Sequence, residues 1–175
     1  MKYIPLLDEL SFFLFYRANQ FYKKRILKNS KIHKTVTIGD YCKFDKNVII
    51  GEGTYLGDGC HLFAGKDSSV EIGRYCAIGY NVHVKSRTHD LSQPTKTKNI
   101  QRNKRKESNI VIGNYVWIGD NVFIKEGITI SDHAIIATNS VVIKDVGYNE
   151  IVGGVPAKLI RINESLDLSS YEEKS

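Results

Sequence analysis

An all-β parallel β-helix of about five triangular coils is the fold this 175-residue sequence predicts. Three observations predict it. Apolar residues recur at every sixth position, as Ile32, Ile38, Phe44, Ile50, Leu56 and Leu62, then Ile72, Ile78 and Val84, then Ile112, Ile118, Ile124, Ile130, Ile136 and Val142. A small or β-branched residue lies four places after most of them, as at Val36, Cys42, Thr54, Cys60, Cys76, Val116 and Ser140. Asn or Gly recurs between the two, as at Asn47, Gly53, Gly59, Asn81, Asn121 and Asn139, where a left-handed corner is least costly. Two inward positions per six residues, with a turn between them, fit neither a helix nor a hairpin. They fit a short strand, a corner and another strand. Three strands close one coil of eighteen residues, and five coils stack to about 24 Å. Each coil then pairs the backbone of its neighbours, and the apolar column becomes a continuous core.

The elements follow in chain order. Residues 1–31 lie outside the repeat, with Leu6, Leu7, Leu10, Phe13, Leu14 and Arg17 at helical spacing and Lys23, Lys24 and Arg25 after them. Two readings stand: a helix capping the open end of the stack, or an interfacial helix resting on a membrane. Residues 32–145 form the β-helix domain. A short interruption at Gly65, Lys66, Asp67 and Ser68 adds four residues, and a loop insertion at 85–110 adds twenty-two. An insertion of that length in a regular repeat points to function or disorder. Residues 146–175 form a C-terminal extension ending in an acidic, frayed tail.

Charge divides the chain in the same way. The formal net charge is +6, yet residues 1–34 and 85–110 each hold eight Lys or Arg against two Asp or Glu. The rest is mildly acidic, a pattern for local contact with anions rather than for a nucleic acid wrapped over the surface. No apolar run reaches the length of a membrane span. The start of the sequence lacks the pattern of a secretory signal. Three cysteines cannot form a closed disulfide set, so a reducing cytoplasm is the expected location, or the inner membrane face if residues 1–30 touch lipid. Cys42, Cys60 and Cys76 read as small core residues rather than nucleophiles.

The repeat resembles the hexapeptide-repeat acyltransferases, which form a left-handed parallel β-helix. The resemblance spans about residues 32–162 and is most specific in IVIGNYVWIGDNVFIKEGITISDHAIIATNSVVIKDVGYNEIVGGVPAKLIRI. That stretch is similar to the closing segment of the galactoside, maltose and polysaccharide O-acetyltransferases. It implies a homotrimer with sites between subunits, acetyl-CoA as donor, and a sugar or polysaccharide hydroxyl as acceptor. No metal is expected.

Acetyl transfer needs a base for the hydroxyl proton, donors for the oxyanion and a held thioester. By the resemblance, His89, five residues beyond Val84 where the chain leaves the coil, matches the catalytic histidine. Its neighbour Asp90 is a poor orienter, because adjacent residues of an extended chain point opposite ways. Asn81 and His83 are placed toward the acceptor, and Trp117, outward-facing, at a subunit interface beside the catalytic loop. Ala137, Thr138 and Ser140 match the positions lining the pantetheine arm, and Lys144, Lys158 and Arg161 those near the phosphates. Arg102, Lys104, Arg105 and Lys106 offer a second anion contact, from a neighbouring subunit or toward an anionic acceptor. The basic, aromatic N-terminus motivates a lipid-linked acceptor.

Rivals remain open. His61 and His83 stack one coil apart and with His89 offer three ligands for zinc; the γ-type carbonic anhydrases of the same fold hold zinc with three histidines. An N-acetyltransferase for an amino sugar nucleotide, an antibiotic acetyltransferase and a non-catalytic scaffold are the others. His133 and His33 carry no functional reading.

Overall fold

The computed structural model describes residues 5–28, 31–89 and 105–164, with side chains from residue 9 onward. The side chains of Leu6 and Leu7, and the expectations for Asp90, Arg102, Lys104 and the tail from 165 on, lie outside that description. The repeat folds into a three-faced parallel coil. The first face stacks Thr37–Ile38, Tyr55–Leu56, Ala77–Ile78, Trp117–Ile118, Ile135–Ile136 and Glu150–Gly154, and Ala157–Ile162 closes its edge antiparallel. The second face stacks Lys43–Phe44, His61–Phe63, His83–Lys85, Phe123–Ile124 and Val141–Val142. Val48–Ile50, Val70–Ile72, Ile110–Ile112 and Thr129–Ile130 make the third.

The apolar column is the core. Fourteen of the fifteen sixth-position residues are buried; Phe44 is half-buried and packs with Tyr22 against the core. The small inward positions are buried too, including Cys42, Thr54, Cys60, Cys76 and Ser140. The thiols of Cys42, Cys60 and Cys76 donate to the carbonyls of Gly57, Gly79 and Gly113 at 3.2, 3.1 and 3.1 Å. The Cys42 sulfur and burial push the Cys60 thiol up, and burial pushes Cys76 up, so both stay protonated core groups. Parallel stacking continues past residue 145: Val146 bridges Ile130, and Val152 stands over Ile136.

The corners explain the polar positions. Asn81, Asn121 and Asn139 all have positive φ, and their amides form a ladder at 3.3 and 3.2 Å. Tyr75, Tyr115 and His133 also have positive φ and stack at another corner, with ring centroids 5.5 and 5.0 Å apart. Asp58, Asp120 and Asp132 each accept a backbone N–H from a neighbouring coil at 2.7 to 2.8 Å. Both interruptions fall at the third corner, between the second and third faces, which sets the short one against the base of the long one.

The helix α1, Pro5–Leu27, docks by its C-terminal half on the first coil. Asn19 donates to Asp40 at 2.9 Å and accepts from the Tyr41 N–H at 3.1 Å. Lys23 pairs with Asp40 and holds its carboxyl below the ordinary range. Ile26 is buried, and Phe15 stacks on Tyr41 at 5.5 Å. One side of α1 thus packs on the first coil. At 3.6 residues per turn its other side carries Leu10, Phe13, Leu14, Arg17, Phe21 and Lys24, all exposed. Among the described residues no helix is long and apolar enough to cross a membrane.

Candidate active site

His89 ends the strand Arg87–His89 with which the long insertion leaves the coil. Arg105–Glu107 brings the chain back beside it, antiparallel, with Arg105 opposite His89. The root of this hairpin is clamped at the third corner. Ser68 and Ser86, both buried, share a hydroxyl–hydroxyl bond of 2.7 Å. The Glu107 carboxylate accepts the Asp67 N–H at 2.8 Å and the Ser68 hydroxyl at 3.3 Å. The Asp67 N–H and the other donors hold that carboxyl below its ordinary range. Arg87 reaches Asp45 at 3.5 Å.

Gly65 lies under the clamp, where a methyl group would collide with the Glu107 carboxylate and the Ser68 hydroxyl. Gly65→Ala is therefore expected to cost roughly 1–3 kcal/mol in urea unfolding, as overpacked sites do. A neutral result would mean that Glu107 does not hold the hairpin.

A cleft of about 410 Å³ opens beside His89, lined by Phe63, Lys85, Arg105, Phe123 and Glu126 as well as by Arg87 and Thr88. The Glu126 side chain is only 6% exposed, within 3.4 Å of Lys125. Sequence reasoning missed Glu126, because its repeat position is commonly charged and nothing local distinguishes it. Phe63 and Phe123 were legible as outward neighbours of the column, but not as walls of one cleft.

The structure brings some candidates together and separates others. His61 and His83 are in register, their rings 4.7 Å apart, as the spacing predicts. They line a different cleft from His89, and among the described residues no group of three His, Cys, Asp or Glu is placed to hold a metal ion. The three-histidine arrangement is thus not formed. Asn81 stands at its corner, with its amide committed to the ladder, and also borders the His83 cleft. Trp117 is 55% exposed on the first face, whereas His89 leaves from the far end of the second. Ser140 is not on the surface: it is buried, its hydroxyl bonded to the Ala137 carbonyl and the Gly154 N–H, because the inward repeat position admits only a small side chain. Ala137 packs beside Gly153 and Thr138 is exposed. Lys144 and Lys158 share a cleft of about 330 Å³ with Asp145, Ala157 and Leu159. Arg161 is exposed on the closing strand, outside that cleft.

The stacked histidines make stability depend on pH. Burial, then the facing His83 and the cations Lys43 and Lys85, hold His61 below its ordinary pKa; burial and Lys85 do the same to His83. The unfolded chain takes up these protons near about pH 6.5, the folded chain only lower. Stability is therefore full above that pH and falls as pH drops through it. The lowered carboxyls of Asp40 and Glu107 act at more acid pH. The melting temperature is expected to drop between pH 7.5 and 5.5, and the double variant His61→Gln, His83→Gln to flatten that drop. An unchanged profile would refute the assignment.

Comparison with known proteins agrees with this architecture. The family model described as bacterial transferase hexapeptide (six repeats) matches residues 26–64, and that described as hexapeptide repeat of succinyl-transferase matches residues 109–144. The galactoside O-acetyltransferase of Escherichia coli K12 is 30% identical over 169 residues, 90% of this chain and 80% of that protein. An Escherichia coli K12 protein named for lipopolysaccharide biosynthesis O-acetyl transfer is 33% identical over 98 residues, 53% of this chain and 50% of its own length. A hexapeptide-repeat-containing acetyltransferase of Vibrio cholerae O1 biovar eltor, solved with acetyl coenzyme A, superimposes with a TM-score of 0.68 at 28% identity, covering 83% of this chain and 77% of that one. The chain belongs to the hexapeptide-repeat acetyltransferases, and its coil is their left-handed β-helix. It is accordingly an enzyme of acyl transfer, with sugar O-acetyltransferases among its relatives.

Proposed function

We propose that this chain transfers acetyl from acetyl-CoA to a sugar hydroxyl in surface-polysaccharide assembly, with His89 as general base. The observation that carries the reading is His89 at the mouth of a cleft, on a hairpin whose root is clamped by Glu107, Ser68 and Ser86. A His89 ring nitrogen takes the proton from the acceptor hydroxyl as its oxygen attacks the thioester carbonyl. A backbone N–H stabilises the oxyanion, as acyl transfer requires. Collapse of the tetrahedral adduct breaks the C–S bond, and the imidazolium returns its proton to the departing thiolate. Lys144 and Lys158, which share one cleft, together with Arg161, are the cations for the CoA phosphates; Ala137 and Thr138 border the path of its arm.

Trp117 and His89 stand on different parts of one chain, so a site using both needs a neighbouring copy. Exposed Tyr55, Trp117, Tyr75, Tyr115 and Tyr148 offer that contact, and the reading is a homotrimer with sites between subunits. The outer side of α1, aromatic with a basic end, supports peripheral contact with an anionic membrane and a lipid-linked acceptor. Thiol release from acetyl-CoA over a panel of sugars, sugar nucleotides and lipid-linked sugars tests the activity. Acceptor-dependent release is expected; an absence of both release and acetyl-CoA binding would sink it. Light scattering at three times the chain mass checks the trimer. Flotation with anionic liposomes, lost in the double variant Phe13→Asp, Phe21→Asp, checks the membrane contact.

A further inference from the structure

A second opening in the described structure lies beside the His89 cleft. It is a cleft of about 990 Å³ between α1 and the second face, walled by Phe15, Ala18, Tyr22 and Tyr41 on one side and by His61 and His83 on the other. Its volume is at the upper end of ligand pockets; aromatic rings, imidazoles and small side chains make most of its walls, with Lys43 and the amides of Asn19, Asn81 and Asn121 among them, two of those amides bonded to each other in the corner ladder. The cleft leads somewhere. His61 and His83 line it, and two residues further along the same strands, on the same side, Phe63 and Lys85 line the His89 cleft. Phe123 lines both. The Lys85 ammonium stands at the junction, 5.8 Å from the ring centres of both Phe63 and Phe123. One trough therefore runs from an apolar end under α1, past a cation, to His89.

That order of chemistry has a matching ligand: an apolar chain, an anion and a sugar hydroxyl. We infer that the trough holds a lipid-linked sugar phosphate, its chain under α1, its phosphate at Lys85 and its sugar at His89. The inference rests on the acetyltransferase reading and deepens it by assigning the acceptor's non-reacting part to a site. Charge complementarity selects the phosphate, since Lys85 is a compact cation that binds phosphate as a point charge, with Arg87 and Arg105 lining the same cleft. The exposed side of α1 away from the trough, apolar with a basic end, suits contact with a lipid surface, where such an acceptor resides.

The test is calorimetric titration of the full chain with farnesyl phosphate, below its micellar concentration, against farnesol and inorganic phosphate. Acetyl-CoA is titrated in parallel. Farnesyl phosphate is expected to bind at least tenfold more tightly than either control. Ala18→Trp, which fills the cleft from α1, and Lys85→Met, at the junction, are each expected to weaken it at least tenfold, with folding checked by circular dichroism. Equal binding of the three probes, wild-type affinity in a folded Lys85→Met, or loss of binding only in Phe13→Asp on the outer side of α1 would each overturn the inference. Acetyl-CoA binding without farnesyl phosphate binding overturns it and leaves the acetyltransferase reading intact. Farnesyl phosphate binding without acetyl-CoA binding does the reverse.

Discussion

His89→Ala is expected to lower the rate of acetyl transfer by roughly 10²–10⁴-fold, the usual worth of a positioned general base. That range corresponds to about 2.7–5.4 kcal/mol of transition-state stabilisation. A proton-transfer group acts only in the transition state, so kcat and kcat/KM fall together. His89→Gln keeps the size and a hydrogen-bonding group but cannot accept the proton, and it falls as far. The fold is not the cause of the loss. His89 is exposed at the end of its strand, outside the core, so unfolding stability stays within about 0.5 kcal/mol. Steady-state thiol release with the identified acceptor, alongside urea unfolding of each variant, separates the two effects. Less than a tenfold loss in His89→Gln would remove His89 from the role of base.

The second large effect is on stability. Ile118 is fully buried at the middle of the column, in register with Ile78 below and Ile136 above. Ile118→Ala removes the transfer energy of its lost methyl and methylene groups and leaves a cavity that rigid coils cannot close. The expected cost is about 2–5 kcal/mol, a large share of the roughly 5–15 kcal/mol that holds a typical domain. Coupling between neighbouring coils carries stability in repeat proteins, so a gap at mid-column loosens both halves. Ile143→Ala is the control: Ile143 is 43% exposed, and its loss is worth about 0.5 kcal/mol or less. Urea midpoints at one protein concentration, which an oligomer requires, compare them. Equal costs would show that the column does not carry the fold.

Much of this site was legible one residue at a time. The repeat placed His61 and His83 on one face a coil apart, because parallel stacking keeps every residue above its counterpart eighteen positions on, plus any inserted length. It placed Trp117 outward because the residue before an inward one must point out. The resemblance singled out His89. What the chain did not disclose was association across its interruptions. Glu107 clamps Asp67 and Ser68 from forty and thirty-nine positions away, across an insertion whose length breaks the register. Glu126 joins the His89 cleft from a separate coil. Ser140 matched a cofactor position, yet its small side chain was required by the interior.

A repeat determines its own fold because each hexad carries the same local instructions: an apolar side chain inward, a residue tolerant of positive φ at the corner, a polar one outward. Those instructions are short-range and recur, so the sequence by itself settled the coil, its core and the facing of each side chain. The sites arise where the repeat stops. The hairpin bearing His89, its clamp at Gly65, and the cleft beside α1 depend on contacts between segments that share no period. Only the tertiary structure decided them, because burial and close approach between distant residues are consequences of how faces and insertions pack, not of any local pattern.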